Sequence, residues 1–211
     1  MGQPEERQLA ARLEALTPVA RAVPPAAVAT RLLPDYSLLC ARTGEGDPVL
    51  LEATLDAVWS HLQHGSGIEP SALLACFELG WAPGRLSAAW LDKGPDAVDA
   101  LTYLGECGMC AVHAVVGAGH VALHGQAHQS VLCLRKGREG TTALVCYLGW
   151  NGAPPSRQMA GEPLVRREAR LQRLDLRELE ASGPAAETLT RIRARARSAA
   201  QDRAHQRYRN Q

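Results

Sequence analysis

The feature that most constrains this chain is its middle third, where two long apolar stretches follow one another with a single glycine between them. The first runs from about Pro95 to Leu123, the second from about Ala127 to Leu148, and Gly125 marks the junction. Both are apolar on most sides, which is typical of helices buried inside a bundle. We expect them to form a central helical hairpin. A strand over 141–147 is disfavoured because no alternating partner lies nearby.

Periodicity, proline starts and glycine stops predict further helices on both sides of this hairpin. The clearest has Asp47 as N-cap and Pro48 in its first turn, and its apolar residues recur at helical spacing: Leu51, Leu55, Val58, Trp59 and Leu62. Residues 18–42 are expected to form short, angled helices instead, because Pro24-Pro25 and Pro34-Asp35 interrupt them.

The C-terminal part carries two more predicted helices. One covers about 163–181 and turns leucines inward, namely Leu164, Leu171, Leu174 and Leu179. The other covers about 185–205 and has a thin apolar stripe of Leu189, Ile192 and Ala196. The sequence thus predicts an all-α, single-domain multi-helix bundle around the hairpin. Residues 1–183 form the bundle, and 184–211 form an Arg-rich C-terminal helix whose end frays.

Charge is divided unevenly along the chain. Residues 1–164 hold 11 basic and 16 acidic side chains, whereas 165–211 hold 12 arginines and 6 acidic side chains. Such a division is typical of a basic arm for nucleic acid or an acidic partner, or of internal pairing between the two parts. We favour internal pairing because the arginines lie on predicted helices.

Several features of the sequence favour a cytoplasmic address. The acidic N-terminus lacks the apolar run of a secretory signal. The most apolar run, Met109 to Leu123, is shorter than the ~20 residues of a membrane span. The six cysteines lack the paired spacing of a secreted scaffold. The preference for Arg, Ala and Gly over Lys is typical of GC-rich bacterial coding.

Three short motifs occur in order: Pro34-x-Tyr36, Thr43-Gly44-x-Gly46-Asp47 and Asp56-x-x-Trp59. With them the sequence resembles the bacterial YjaG-like family of unknown function (domain of unknown function 416), over roughly residues 5–181. The resemblance implies an all-α bundle in a bacterial cytoplasm, and it transfers no activity.

The residues of these motifs also have an architectural interpretation. Gly44 and Gly46 free the backbone for a turn, Asp47 caps the helix that follows, and Trp59 anchors the inner face of that helix. None of them needs to be catalytic.

The candidate chemical site is the cluster Cys107-x-x-Cys110-x-x-His113, followed by His120, His124 and His128. Thiolate and imidazole are zinc ligands, but His120 lies about 10 Å along a helix from His113. One ion cannot take all of them, and further ligands would have to come from Cys133 or Cys146. We therefore expect a structural cluster, with no metal and no cofactor.

Other constellations are weaker. Asp92, Asp96, Asp99 and Glu106 are acid/base candidates by spacing, but Asp96 and Asp99 lie in a first helical turn, where negative charge is favoured. The arginines at every second position from Arg191 to Arg197 wrap around a helix rather than forming one face, which disfavours nucleic-acid binding.

The sequence therefore predicts a non-catalytic protein that acts by binding another protein, as a regulator, an accessory factor or an immunity protein. Self-association remains open, and no membrane is expected. The alternative is a metal-dependent or cysteine enzyme that uses Cys107, Cys110, His113, His120 and His124. The third class is nucleic-acid binding through the Arg-rich tail.

Overall fold

The computed structural model describes residues 3–79, 95–148 and 162–208, and over these ranges every regular element is an α-helix. In chain order the helices are α1 (Gln3–Glu14), α2 (Pro18–Thr43), α3 (Pro48–His64), α4 (Pro70–Glu78), α5 (Pro95–His124), α6 (Ala127–Leu148), α7 (Pro163–Ser182) and α8 (Ala186–Tyr208). The all-α fold and the helical state of residues 141–147 are confirmed. The predicted breaks at Gly80 and 83–84, Asp92, and the loop 151–155 lie outside the described residues.

The prediction of short, angled helices over residues 18–42 is wrong, because α2 is one helix of 26 residues with Pro24, Pro25 and Pro34 inside it. Pro25 has no N–H to give to the carbonyl of Arg21. The Ser130 hydroxyl of α6 donates to that carbonyl instead, over 3.0 Å. Tertiary contacts thus satisfy backbone groups that local rules leave unpaired, and the helix continues.

The predicted hairpin of α5 and α6 is confirmed, but α2 shares the centre of the bundle with it. This helix packs against α3, α5, α6, α7 and α8. Both α2 and α5 contribute small buried residues to one apolar core, namely Ala22, Ala26, Ala27 and Ala29 of α2 and Ala111, Ala114 and Ala118 of α5. A Cβ added at Gly108 would lie 2.6 Å from Leu39 Cδ2, so the two backbones approach more closely than larger side chains would permit.

The buried face of α7 is not the predicted leucine stripe. Leu179 is buried, but Leu174 is 37% exposed, and the buried positions include polar ones: Val165, Glu168, Gln172, Asp175, Leu176 and Leu179. Arginines of α2 and α8 reach these carboxylates, which permits a polar inner face. On α8, the predicted stripe of Leu189, Ile192 and Ala196 is buried as expected.

The apolar segment of α5 is longer than the run from Met109 to Leu123. Within α5, the segment Val98–His124 is long and apolar enough to cross a membrane by length and composition alone. The run from Met109 to Leu123 is the uncharged part of this segment, and the two charged residues of the segment, Asp99 and Glu106, precede that run. More than half of the most apolar window is buried inside the protein, as in any core helix.

Candidate functional site

The motif residues around the α2–α3 junction build a tight turn. Gly44 ends α2 with φ of 73°, and Gly46 has φ of 96°. A Cβ on Gly46 would lie 2.5 Å from the Tyr36 hydroxyl oxygen. Glycine is therefore favoured at this position both by the positive φ and by the lack of space for a side chain. The Asp47 backbone N–H donates to the Tyr36 hydroxyl over 3.2 Å, and the Asp47 carboxylate caps α3 by accepting from the Leu50 N–H over 2.9 Å.

Trp59 lies in the core, as the helical spacing predicts, with 1% of its surface exposed. Its indole N–H donates to the Thr30 hydroxyl over 3.0 Å, and the Arg193 guanidinium lies 5.6 Å from its ring. Pro34 is one turn further along α2 from Thr30. These contacts are architectural, and none presents a reacting group.

A layer of buried charge between α2, α7 and α8 was missed by sequence reasoning. The Arg31 side chain is 2% exposed and donates to both oxygens of Glu168, over 2.8 and 2.9 Å, and to Asp175 over 3.0 Å. Burial raises the pKa of Glu168, but the attraction of Arg31 outweighs it and holds that pKa below its ordinary value. In the sequence, this layer is indicated by Arg31, which lies in the stretch 26–33, where all other residues except Thr30 are apolar.

A second buried pair joins the two ends of the chain. Arg203 of α8 donates to both oxygens of Asp35 over 2.5–3.1 Å, and to the Thr141 hydroxyl over 2.9 Å. Arg193 also pairs with Asp56 of the body, whereas Arg195 pairs with Asp175 inside the basic part. The predicted internal pairing of the basic C-terminal part with acidic residues of the body is therefore confirmed.

The thiols of the predicted Cys/His cluster point into the protein. Cys107 and Cys110 are buried, and burial raises the pKa of both, that of Cys110 to about 11. Cys133 of α6 is also buried, which raises its pKa to about 12. A protonated thiol is a poor nucleophile and a poor ligand, so these groups do not favour a cysteine enzyme.

The histidines lie apart from the thiols, on the outer side of α5. His113 is an exposed residue on the whole. Partial burial of its imidazole, together with the charge of Lys136, lowers its pKa. The rings of His120 and His124 lie 4.5 Å apart. Within residues 3–79, 95–148 and 162–208, no three His, Cys, Asp or Glu side chains come close enough to share an ion.

His113 and His120 line a surface groove, which we call the α4–α6 groove. It is a cavity of about 380 Å³ lined by residues of α4, α5 and α6, namely Phe77, His113, Val116, Gly117, His120, Gln129, Leu132, Cys133, Arg135 and Lys136. Phe77 is 59% exposed and forms one wall. A second cavity of about 400 Å³, between α1 and α6, shares Leu132 with the groove. This second cavity is also lined by Glu6 and Arg7, so its charges are of both signs.

The charges that line the α4–α6 groove have one sign. Arg135 and Lys136 lie along its α6 wall, and among the lining residues that the structure describes none is acidic. Both cations contact Glu139 outside the groove, Lys136 over 2.7 Å and Arg135 over 3.3 Å. The Arg135 contact with Glu139 runs through Nε without hydrogen-bond geometry, and Arg135 also lies 3.8 Å from Glu6. The groove is thus apolar at its base and basic along one edge.

The fold and the groove define an all-α bundle with an apolar surface depression. Comparison of the sequence shows that residues 8–78 match the family described as "Protein of unknown function (DUF416)". The match includes all three motifs on which the resemblance rests, and it confirms that resemblance over this segment. The description of the matched family does not include the name YjaG.

A solved structure extends the likeness in fold. The chain is similar to the crystal structure of a DUF416 family protein from Shewanella baltica OS155, determined at 1.91 Å, with 18% sequence identity and a TM-score of 0.70. The likeness covers 89% of this chain and 92% of that one. No curated protein matches the chain. The comparisons therefore support the fold and bring no activity with them.

Proposed function

We propose that this protein acts without catalysis, by binding a protein partner in the α4–α6 groove. The observation that carries the proposal is the exposed apolar surface of that groove. Phe77 of α4 is 59% exposed and Leu132 of α6 is 38% exposed, and Leu74 of α4, outside the groove lining, is 61% exposed. Apolar side chains that gather on one surface and are rimmed by polar residues are typical of interaction sites.

The partner that fits is an amphipathic segment with acidic flanks. The α4–α6 groove and its neighbouring cavity share Leu132 in their linings, so a helix laid with its apolar face on the groove would reach toward that cavity. Carboxylates beside the apolar residues of that helix would face Arg135 and Lys136. The complementary charge favours an acidic partner over a basic one.

The proposal extends to the cellular setting, a bacterial cytoplasm. All six cysteines are free thiols, and Cys76, Cys107, Cys110, Cys133 and Cys146 are buried. Free thiols in this number fit a reducing compartment. The composition, rich in Arg, Ala and Gly, supports a GC-rich bacterial source.

Designed peptides test the groove directly. Two helical peptides of about 18 residues, or five turns, would share one leucine face, with glutamate flanks in one and lysine flanks in the other. Fluorescence anisotropy would measure their binding to the full chain. We expect the acidic peptide to bind at least about tenfold more tightly, with affinity that falls as salt rises.

Phe77→Asp is the matching variant, since Phe77 is exposed and its replacement leaves the core intact. It should weaken the acidic peptide by about tenfold or more. Val49→Asp is the control, because Val49 is 74% exposed on α3, outside the groove lining. Equal loss in both variants, or equal affinity for both peptides, would contradict the proposal. A concentration-dependent dimer abolished by Phe77→Asp would replace the acidic partner with a second copy of this chain.

A further inference from the structure

A second cavity lies on another side of the molecule, among α2, α3 and α8. Its volume is about 280 Å³, at the small end of ligand pockets. The base is apolar and consists of Leu33, Pro34, Leu55, Trp59, Ala200 and Ala204. Trp59 and Leu55 are buried and fixed by the core, so the base is preformed. An apolar group of the size of a leucine or phenylalanine side chain would fit it.

Polar groups stand at the edges of this cavity on two different helices. Glu52 and Asp56 lie one turn apart on α3, and Arg197 and Gln201 lie one turn apart on α8. Thr30 and Pro34 of α2 also line the cavity, and the proline ring deprives the Thr30 carbonyl of its usual helical donor. The cavity thus combines an apolar base with several converging polar groups.

The charged side chains at the edge of this cavity are only partly paired with one another. Asp56 has Arg193 as its closer partner, over 2.5 Å, while Arg197 approaches it to 3.4 Å and is 57% exposed. The guanidinium of Arg197 therefore keeps donors for another anion. Glu52 makes no ion pair with any residue that the structure describes. A carboxylate on α3 and a guanidinium on α8 are left facing one apolar cavity.

We propose that this cavity binds a small zwitterion with an apolar side chain, of the class of free apolar α-amino acids. The ammonium group pairs with Glu52, the carboxylate receives hydrogen bonds from Arg197, and the side chain packs on Trp59 and Leu55. Three charged residues line the cavity, Glu52, Asp56 and Arg197, and Asp56 is already paired with Arg193 beside the cavity. One carboxylate and one guanidinium are left for the ligand, which matches a neutral zwitterion better than a simple amine or acid. The inference is independent of the α4–α6 groove.

Three probes of one shape separate the contributions of the two charges. L-Phenylalanine carries both groups, phenethylamine carries the amine alone, and 3-phenylpropionate carries the carboxylate alone. Isothermal titration calorimetry on the full chain would compare them. We expect L-phenylalanine to bind at least about tenfold more tightly than either of the others, since a paired charge contributes about a factor of ten.

Two variants complete the design. Glu52→Gln should reduce the preference for L-phenylalanine over 3-phenylpropionate, and Arg197→Gln should reduce its preference over phenethylamine, each by about tenfold. The controls are Glu45→Gln and Arg170→Gln, which change exposed residues outside the cavity and should leave all three affinities unchanged. Absence of binding by L-phenylalanine and L-leucine, or equal binding of the three probes, would overturn the proposal, as would unchanged preferences in both variants.

Discussion

The two sides of α2 solve the problem of burial in different ways. Toward α5 the helix packs closely, since Leu39 lies against Gly108, and both helices bury small apolar residues such as Ala22 and Ala114. Toward α7 and α8 it presents Arg31 and Asp35, and the interface is a layer of buried ion pairs. The difference shows that the stability of one helix rests on shape on one side and on charge compensation on the other.

The charged side should be the more sensitive to a single change. Replacement of Arg31 by Met keeps most of the volume but leaves Glu168 buried without its main partner and Asp175 with Arg195 alone. An uncompensated buried charge costs about 3–5 kcal/mol. We expect the free energy of unfolding, measured by urea denaturation, to fall by that amount.

A double variant distinguishes charge from packing in this layer. Arg31→Met with Glu168→Gln removes both members of the closest pair, so it should be less destabilised than Arg31→Met alone. A loss below about 1 kcal/mol for the single variant would show that the layer is hydrated and not buried.

The packed side should respond to added volume. Ala114 of α5 is fully buried, and Ala114→Leu forces extra methyl groups into a close interface, at a cost of about 1–3 kcal/mol. Ala53→Leu on the exposed face of α3 is the control, which should change stability by less than about 0.5 kcal/mol. Thermal unfolding of both variants measures the difference. Equal effects would mean that the α2–α5 interface is loosely packed.

The contrast between these two sides also explains what the sequence could and could not predict. Leu51, Leu55, Val58, Trp59 and Leu62 lie where helical spacing places them, because apolar burial follows the period of the helix. Two strong caps fixed the same helix, with Asp47 at its start and Gly65 at its end.

The charged layer follows no such period. Its pairs that involve α2 join residues 137 to 168 positions apart, such as Arg31 with Glu168 and Asp35 with Arg203. The unusual position of Arg31 is visible in the sequence, but nothing local identifies its partners. The continuity of α2 through its prolines was missed for the same reason, since the Ser130 hydroxyl that accommodates Pro25 comes from α6.

For the candidate sites, the sequence indicated some of the residues but not how these residues are arranged in space. It placed His113 and His120 on one helix, and both line the α4–α6 groove. Phe77 and Leu132, which form its apolar walls, come from α4 and α6. The cavity beside Trp59 likewise needs α8 to pass over α3, which is a tertiary contact that local periodicity does not specify.

Alkaline pH gives a third test, on the buried thiol of Cys133, where α6 packs against Gly117 of α5. The pKa of Cys133 is raised to about 12 by burial, whereas an unfolded thiol ionises near pH 8.5. Its contribution to stability is therefore complete below about pH 8.5 and declines as pH rises toward the folded pKa. Between pH 7.5 and 9.5 in reducing buffer, the wild type should lose about 1 kcal/mol more than Cys133→Ala does. Identical losses would show that this thiol ionises in the folded protein.

The smallest effect is expected where the same chemistry as Arg31–Glu168 occurs at the surface. Arg12 of α1 donates to both oxygens of Glu180 on α7, over 2.7 and 2.8 Å, but the two side chains are 32% and 35% exposed. Water and salt screen this pair, so Arg12→Gln should cost less than about 1 kcal/mol, and less again at 0.5 M salt. Urea denaturation at two salt concentrations measures both values. A loss comparable with that of Arg31→Met would mean that geometry, and not burial, sets the energy of ion pairs in this protein.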